Sequence, residues 1–262
     1  VVLALCLDAA DAGELHAIFP SGGQAGSSTP VVFLGSGIDS PTSARCSHTG
    51  IRFEKDDKSG FVAHVSPEVP AGFYDVQVIN AKGVSSTRTF FVTQRTHVVE
   101  DTPDSTELQI QEVPLGCAIS GRVSKGDKDE YRFRAKQGQR VVIECWADRL
   151  DSSLRAILEV RDSSDAVLAS SRGYFGVDPA IPFAVPADGE YVVRVHDLIF
   201  DGGPSHFYRL DIHAGRRVVF TVPPVVQRGV TTPVTLFGWN LQHPVGEDPF
   251  GENPVVENPV VE

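Results

Sequence analysis

The sequence predicts an all-β chain of tandem β-sandwich modules, and three observations carry that prediction. A stretch of the sequence occurs twice: residues 20–38, PSGGQAGSSTPVVFLGSGI, align without a gap on residues 223–241, PPVVQRGVTTPVTLFGWNL, with seven of nineteen positions identical. Such a repeat, with unlike sequence between its copies, marks a string of modules rather than one continuous core. Short runs that alternate apolar and polar residues recur between Gly-, Pro- and Ser-rich turns, the period-two pattern of strands with one wet face. Nothing in the first module keeps helical spacing for three turns.

Residues 1–12, VVLALCLDAADA, read as a signal-peptide remnant. An apolar run precedes Ala10-Asp11-Ala12, a small-x-small cleavage pattern; a buried first strand is the alternative reading. The chain contains no Met, which fits a fragment or a processed form. Residues 13–95 form the first predicted sandwich, with strands near 15–19, 30–34, 51–53, 61–65, 73–79 and 87–92. Pro70-Ala71-Gly72 and Asn80-Ala81-Lys82-Gly83 mark turns around the alternating run from Tyr74 to Val78. Residues 96–107, THVVEDTPDSTE, read as an acidic linker or an edge segment.

Residues 108–215 form a second, jelly-roll-like sandwich. Its strands centre on Tyr131–Arg134, Val141–Trp146, Tyr191–Val195 and Arg209–Ile212, with one helical turn near residues 151–154. Asp211 and His213 alternate with Leu210 and Ile212, so they are expected to face water. Residues 216–262 begin a third, incomplete module that carries the second copy of the repeat. They run into ENPVVENPVVE, where a Pro every fifth residue argues for an extended or disordered tail.

Composition narrows the function classes. At 262 residues and 41% hydrophobic, the chain has room for about two domains with cores. A formal net charge of −11 and no basic block beyond Arg216-Arg217 argue against nucleic acid. No apolar stretch approaches the roughly 20 residues that span a bilayer. The four Cys, Cys6, Cys46, Cys117 and Cys145, lack C-x-x-C spacing. Cys117 and Cys145 read either as a bridge or as two small buried hydrophobes.

Two family resemblances follow from particular residues. Pro20, Gly26, Thr29, Val31, Leu34, Gly35 and Ile38, then Val69 to Val76 and Gly83-Val84-Ser85, resemble the immunoglobulin-like IPT/TIG modules of large secreted bacterial proteins. The start of the third module shares that resemblance. Gly121-Arg122-Val123, Gly126 to Phe133, Gly138-Gln139, Pro186 to Val195 and Tyr208-Arg209-Leu210 resemble the bacterial pre-peptidase C-terminal domain. The order of modules resembles surface proteins of planctomycete-type bacteria.

The second resemblance implies an accessory sandwich that performs no chemistry and binds substrate and calcium. It implies a calcium site built from Glu100, Asp101 and Asp104 in the linker and Asp127 and Asp129 in a later turn. Calcium takes about six to eight oxygen ligands, and a linker folded against an acidic turn can supply several. Thr102 before Pro103 and Ser105 after Asp104 depart from the family's linker pattern. A solvated linker beside a turn capped by Asp127 explains the same residues.

The sequence contains no zinc-protease, nucleophile-elbow or phosphate-loop motif. Ser36, inside Gly35-Ser36-Gly37, aligns with Trp239, so the slot holds no nucleophile common to both copies. His196, Asp197, Asp201 and His206 could be metal ligands, but a hairpin through Asp201-Gly202-Gly203-Pro204 accounts for them. Trp146 and Trp239 read as core residues before sugar-stacking platforms. The expected function is a non-catalytic extracellular binding or spacer region, secreted, periplasmic or at the cell surface. Its expected partner is a protein or polysaccharide polymer, or other domains of the same polypeptide. The alternative is an accessory region of a secreted peptidase or other hydrolase whose catalytic domain lies outside the chain.

Overall fold

A computed structural model describes residues 13–38, 40–56, 60–101 and 110–241, and the backbone of 260–261. The signal reading, Cys6, Asp104 and most of the Pro-rich tail lie outside these residues. The architecture is all-β, and the described residues include one single-turn 3-10 helix, Asp148–Leu150. It lies just before the turn expected at 151–154 and closes on Asp151 in the left-handed region, φ 60°.

The first sandwich comprises β1 (Glu14–Phe19), β2 (Gly22–Gln24), β3 (Ser28–Ser36), β4 (Ser43–Cys46), β5 (Ile51–Asp56), β6 (Gly60–Val65), β7 (Gly72–Asn80), β8 (Gly83–Val84) and β9 (Arg88–Thr93). One sheet runs β1-β3-β6-β5 and the other β2-β9-β7-β4, with β8 paired to β7. Leu15, Ile18, Val31, Phe53, Phe61, Val76, Phe90 and Val92 share one core between them.

The second sandwich comprises β10 (Thr96–Val99), β11 (Gln111–Glu112), β12 (Cys117–Arg122), β13 (Asp129–Ala135), β14 (Arg140–Trp146), β15 (Ala156–Arg161), β16 (Val167–Ser171), β17 (Ala180–Ala184), β18 (Gly189–Asp197) and β19 (Phe207–His213). Its sheets run β10-β12-β19-β14-β17 and β11-β13-β18-β15-β16. β18 shows the expected alternation, with Tyr191, Val193 and Val195 buried in a core that also holds Tyr131, Phe133, Leu158 and Leu210. The start of the acidic linker is thus an edge strand, paired in parallel with β12.

Cys117 and Cys145 are free and buried. β19 separates their strands, with Ile212 opposite Cys117 and Leu210 opposite Cys145. Two strand spacings are about 10 Å, beyond the roughly 7 Å Cα separation that a disulfide can close. The small-hydrophobe reading holds and the bridge does not.

β19 overturns another expectation. All seven of its residues are buried, including Arg209, Asp211 and His213. Its core face carries Leu210 and Ile212. Its other face does not meet water because the first sandwich covers it. Arg209 lies over the Phe91 ring, and Phe73 packs 4.8 Å from Trp146. Ala17, Leu150 and Phe207 form a small shared core with Phe19, Leu34 and Trp146 against it.

The third region contains β20 (Arg217–Val222), β21 (Thr232–Pro233), β22 (Thr235–Trp239) and β23 (Val260–Val261), as two strand pairs, β20-β22 and β21-β23. β20 and β22 reproduce β1 and β3. Glu14 faces Ser36, Leu15 faces Gly35, and the register slips between Leu15 and Ala17. Arg217 faces Trp239, Val218 faces Gly238, and the register slips between Val218 and Phe220. The Phe19–Pro20 and Val222–Pro223 bonds are both cis. A Cβ on Gly35 would meet Glu14 O at 2.1 Å, and one on Gly238 would meet Arg217 O at 1.9 Å. Glycine is therefore required at the same rung of both copies.

Candidate functional site

Two of the five predicted cation ligands meet at the edge of the second sandwich. β10 delivers Glu100, whose N–H donates to Ser120 O at 3.0 Å. Its Oε2 accepts the Arg122 N–H at 2.9 Å. Asp129 opens β13 and is buried, with its side chain against Glu100. Behind it, Tyr208 Oη donates to Asp129 Oδ2 at 2.6 Å. The Tyr131 and Tyr208 hydroxyls are 2.6 Å apart. Gly121 makes room for this chain of hydroxyls, since a Cβ there would lie 2.3 Å from Tyr208 Oη and 2.8 Å from Tyr131 Oη.

Burial and the adjacent Glu100 charge push Asp129 up to about 9. Burial also raises Glu100. Two carboxylates this close in a poorly solvated site do not both ionise, so near neutral pH the pair shares a proton. Burial likewise lifts Tyr131 and Tyr208 well above the usual phenol range, so both remain neutral donors.

Asp101 and Asp127 are arranged differently. Asp127 caps its own turn, with Oδ1 accepting the Lys128 N–H at 2.8 Å; its charge still acts on Glu100 and Asp129. Asp101 is exposed, its N–H donating to Gln111 Oε1 at 3.3 Å. Asp104 lies outside the described residues. Among the described residues, no group of three or more Asp, Glu, His or Cys side chains is arranged to hold a metal.

The hairpin residues are structural. Asp197 Oδ2 accepts the Arg155 N–H, and Oδ1 accepts those of Ile199 and Asp201. Burial works to raise Asp197, but these three N–H bonds leave it below the usual carboxylate range. His196 stacks on Phe200 at 4.8 Å. Trp146 sits in the inter-sandwich seam, and Trp239 packs 4.9 Å from Tyr174 and 6.0 Å from Phe175.

Sequence reasoning missed the charged lattice of the seam. Buried Glu144 accepts from Arg149 Nη1 at 3.0 Å and from Arg217 Nε at 2.7 Å. Asp178 accepts the N–H groups of Ala147, Asp148 and Arg149 and the Arg149 Nε. Arg149 stacks over Trp146 at 3.5 Å. Arg209 pairs with Asp211 at 2.6 Å. A carboxylate inside the apolar run from Val141 to Trp146 was the available signal, but its partners lie elsewhere in the chain.

The second sandwich is the region of the molecule for which a family match exists. Residues 127–197 match the bacterial pre-peptidase C-terminal domain. Among solved structures, that domain of the collagenase from Bacillus anthracis is 18% identical, covering 42% of this chain and 99% of its own, with a TM-score of 0.34. The periplasmic inhibitor of g-type lysozyme from Aeromonas hydrophila is 21% identical over 40% of this chain and 98% of its own, TM-score 0.31. A Bacteroides ovatus protein of a mixed-linkage glucan utilization locus, solved with a heptasaccharide, is 8% identical over 74% and 73%, TM-score 0.24. No curated protein matches the chain. No helix among the described residues is long and apolar enough to cross a membrane.

Proposed function

We propose that the chain is a non-catalytic binding and spacing region of a larger secreted, periplasmic or cell-surface protein. In this reading a signal remnant (1–12) precedes an IPT/TIG-type immunoglobulin-like sandwich (13–95). An acidic joint (96–107), a pre-peptidase C-terminal sandwich (108–215) and an incomplete immunoglobulin-like module with its tail (216–262) follow. The partner is an extracellular polymer, protein or polysaccharide, or another domain of the same polypeptide. The observation that carries the reading is the family match over residues 127–197. It is supported by how the buried acids are used: Glu144, Asp178, Asp197 and Asp211 are held by arginines or backbone N–H groups. The test is co-sedimentation of the full chain with insoluble polysaccharides and collagen, alongside hydrolysis assays on the same polymers. Retention without turnover supports the reading; cleavage by the purified chain overturns it.

Calcium belongs to this proposal. Glu100 and Asp129 would hold it, with Asp101, Asp104 and Asp127 contributing from the linker and the turn. When bound, the ion supplies the positive charge that the shared proton otherwise provides. Calcium should therefore raise the melting temperature, and more so at higher pH, where less proton must be displaced. An unchanged melting curve at millimolar calcium retires the site.

A second reading, an accessory region of a secreted peptidase or other hydrolase, draws on the domain family itself. It requires that deleting the region lower the partner enzyme's turnover on insoluble polymer but not on a small soluble substrate.

A further inference from the structure

The turn between β18 and β19 carries apolar side chains outward. Leu198, Ile199 and Phe200 follow one another there and are 48%, 78% and 48% exposed. Turns elsewhere in the same sandwich are polar: Lys136-Gln137-Gly138-Gln139 joins β13 to β14, and Asp162-Ser163-Ser164-Asp165 lies between β15 and β16. The apolar turn is also held in place. Buried Asp197 sits beneath it, with Oδ1 accepting the N–H groups of Ile199 at 2.9 Å and Asp201 at 3.1 Å. Phe200 O accepts the Gly126 N–H at 2.9 Å. Gly202 seats the turn on the neighbouring loop, since a Cβ there would lie 2.3 Å from the Ser124 carbonyl carbon. Phe200 itself lies in the left-handed region, φ 58°, which a bulky side chain seldom adopts. A fixed, strained turn that shows consecutive apolar side chains to water marks an interaction site.

The backbone indicates what covers it. Leu198 N–H donates to Arg155 O, Phe200 N–H to Asp197 O, Gly202 N–H to Asp201 Oδ1 and Gly203 N–H to Val123 O. With the two bonds to Asp197 Oδ1, every N–H from Leu198 to Gly203 is satisfied within the chain. The turn thus offers a protein partner no main-chain donor, whereas protein interfaces make about one hydrogen bond per 100–200 Å². Closure of this kind is what a hydrocarbon environment demands, because an unpaired N–H finds no partner there. Nearby charge balances, with Lys125 and Arg155 set against Asp148 and Asp201, so attraction to a charged partner is not what the turn supplies. We infer that Leu198, Ile199 and Phe200 insert into a lipid surface. They would anchor the chain peripherally, about 5–10 Å deep, where headgroups meet acyl chains. This inference stands apart from polymer binding and from calcium.

Co-sedimentation of the full chain with phosphatidylcholine vesicles, at millimolar lipid and at low and high salt, tests it. Wild type should pellet with the vesicles at both salt concentrations, because the contact is apolar. Ile199→Asp should weaken binding about tenfold or more while the melting temperature is retained, and Ile199→Leu should keep binding. Leu198→Asp provides the same reading independently if Ile199→Asp fails to fold. Wild type that stays in the supernatant overturns the inference. Binding that high salt abolishes, or that both aspartate substitutions leave intact, overturns it as well.

Discussion

Asp129 ties stability to proton concentration. Its folded value of about 9 lies far above the roughly 3.9 of an unfolded aspartate. Folding therefore takes up a proton between those limits. The stabilisation is complete below about pH 4 and is lost as pH rises toward 9, at about 1.4 kcal/mol per unit for one proton. Asp129→Asn keeps an acceptor for Tyr208 and a donor toward Glu100. It should flatten the pH dependence of the melting temperature between pH 5 and 9 and abolish any calcium effect. At Gly121 a methyl group collides with two tyrosine hydroxyls. Gly121→Ala should therefore cost about 1–3 kcal/mol in denaturant unfolding. The resemblance pointed to Glu100 and Asp129, but Tyr131 and Tyr208 could not be read beside them. Strand pairing across the sandwich brings those two hydroxyls together, and no local pattern encodes it.

At the scale of the strand, legibility depended on what covers each face. In β18 the alternation of Tyr191, Val193 and Val195 is a complete description, because its apolar side alone meets the core. In β19 the same alternation misled. Arg209, Asp211 and His213 look like a wet face, but they lie against the neighbouring sandwich, and their charges are matched there rather than by water. β14 behaves likewise, with Glu144 held between Arg149 and Arg217. Removing one partner of a buried ion group leaves the others uncompensated. Glu144→Ala should therefore cost about 3–5 kcal/mol by denaturant titration, far above the usual loss for a polar-to-alanine change on a strand surface. The hairpin repeat was legible in the sequence down to its paired glycines; the occupant of its outer side was not.

Across the molecule, the seam between the first two sandwiches makes them one packed body at neutral pH and exposes them to acid. His97 lies beside Ser120 and Arg209, and His213 beside Arg95, Glu144 and Arg217. Burial, reinforced by these arginines, lowers both histidines to about 4. Their contribution is present above about pH 6.5 and is lost as pH falls toward 4, the opposite sense to Asp129. Small-angle scattering should show the radius of gyration growing between pH 6 and 4. The double substitution of His97 and His213 by Gln should move that expansion to lower pH. Because the three described cysteines are free, a reducing agent should leave the melting curve unchanged.

The route of the backbone has a mechanical consequence. Thr96 pairs with Cys117 and Cys117 with Ile212, so the polypeptide arrives at and departs from this sheet at the same end, two strands apart. A stretched chain would not run through the second sandwich as through a link. The sandwich would hang to one side like a pendant, and tension would act across the rungs of β10, β12 and β19. Rungs loaded that way open singly, in succession, so this unit should yield at low force in an optical trap. The Arg217–Glu144 pair stitches the departing thread to β14, beyond β19, until it gives.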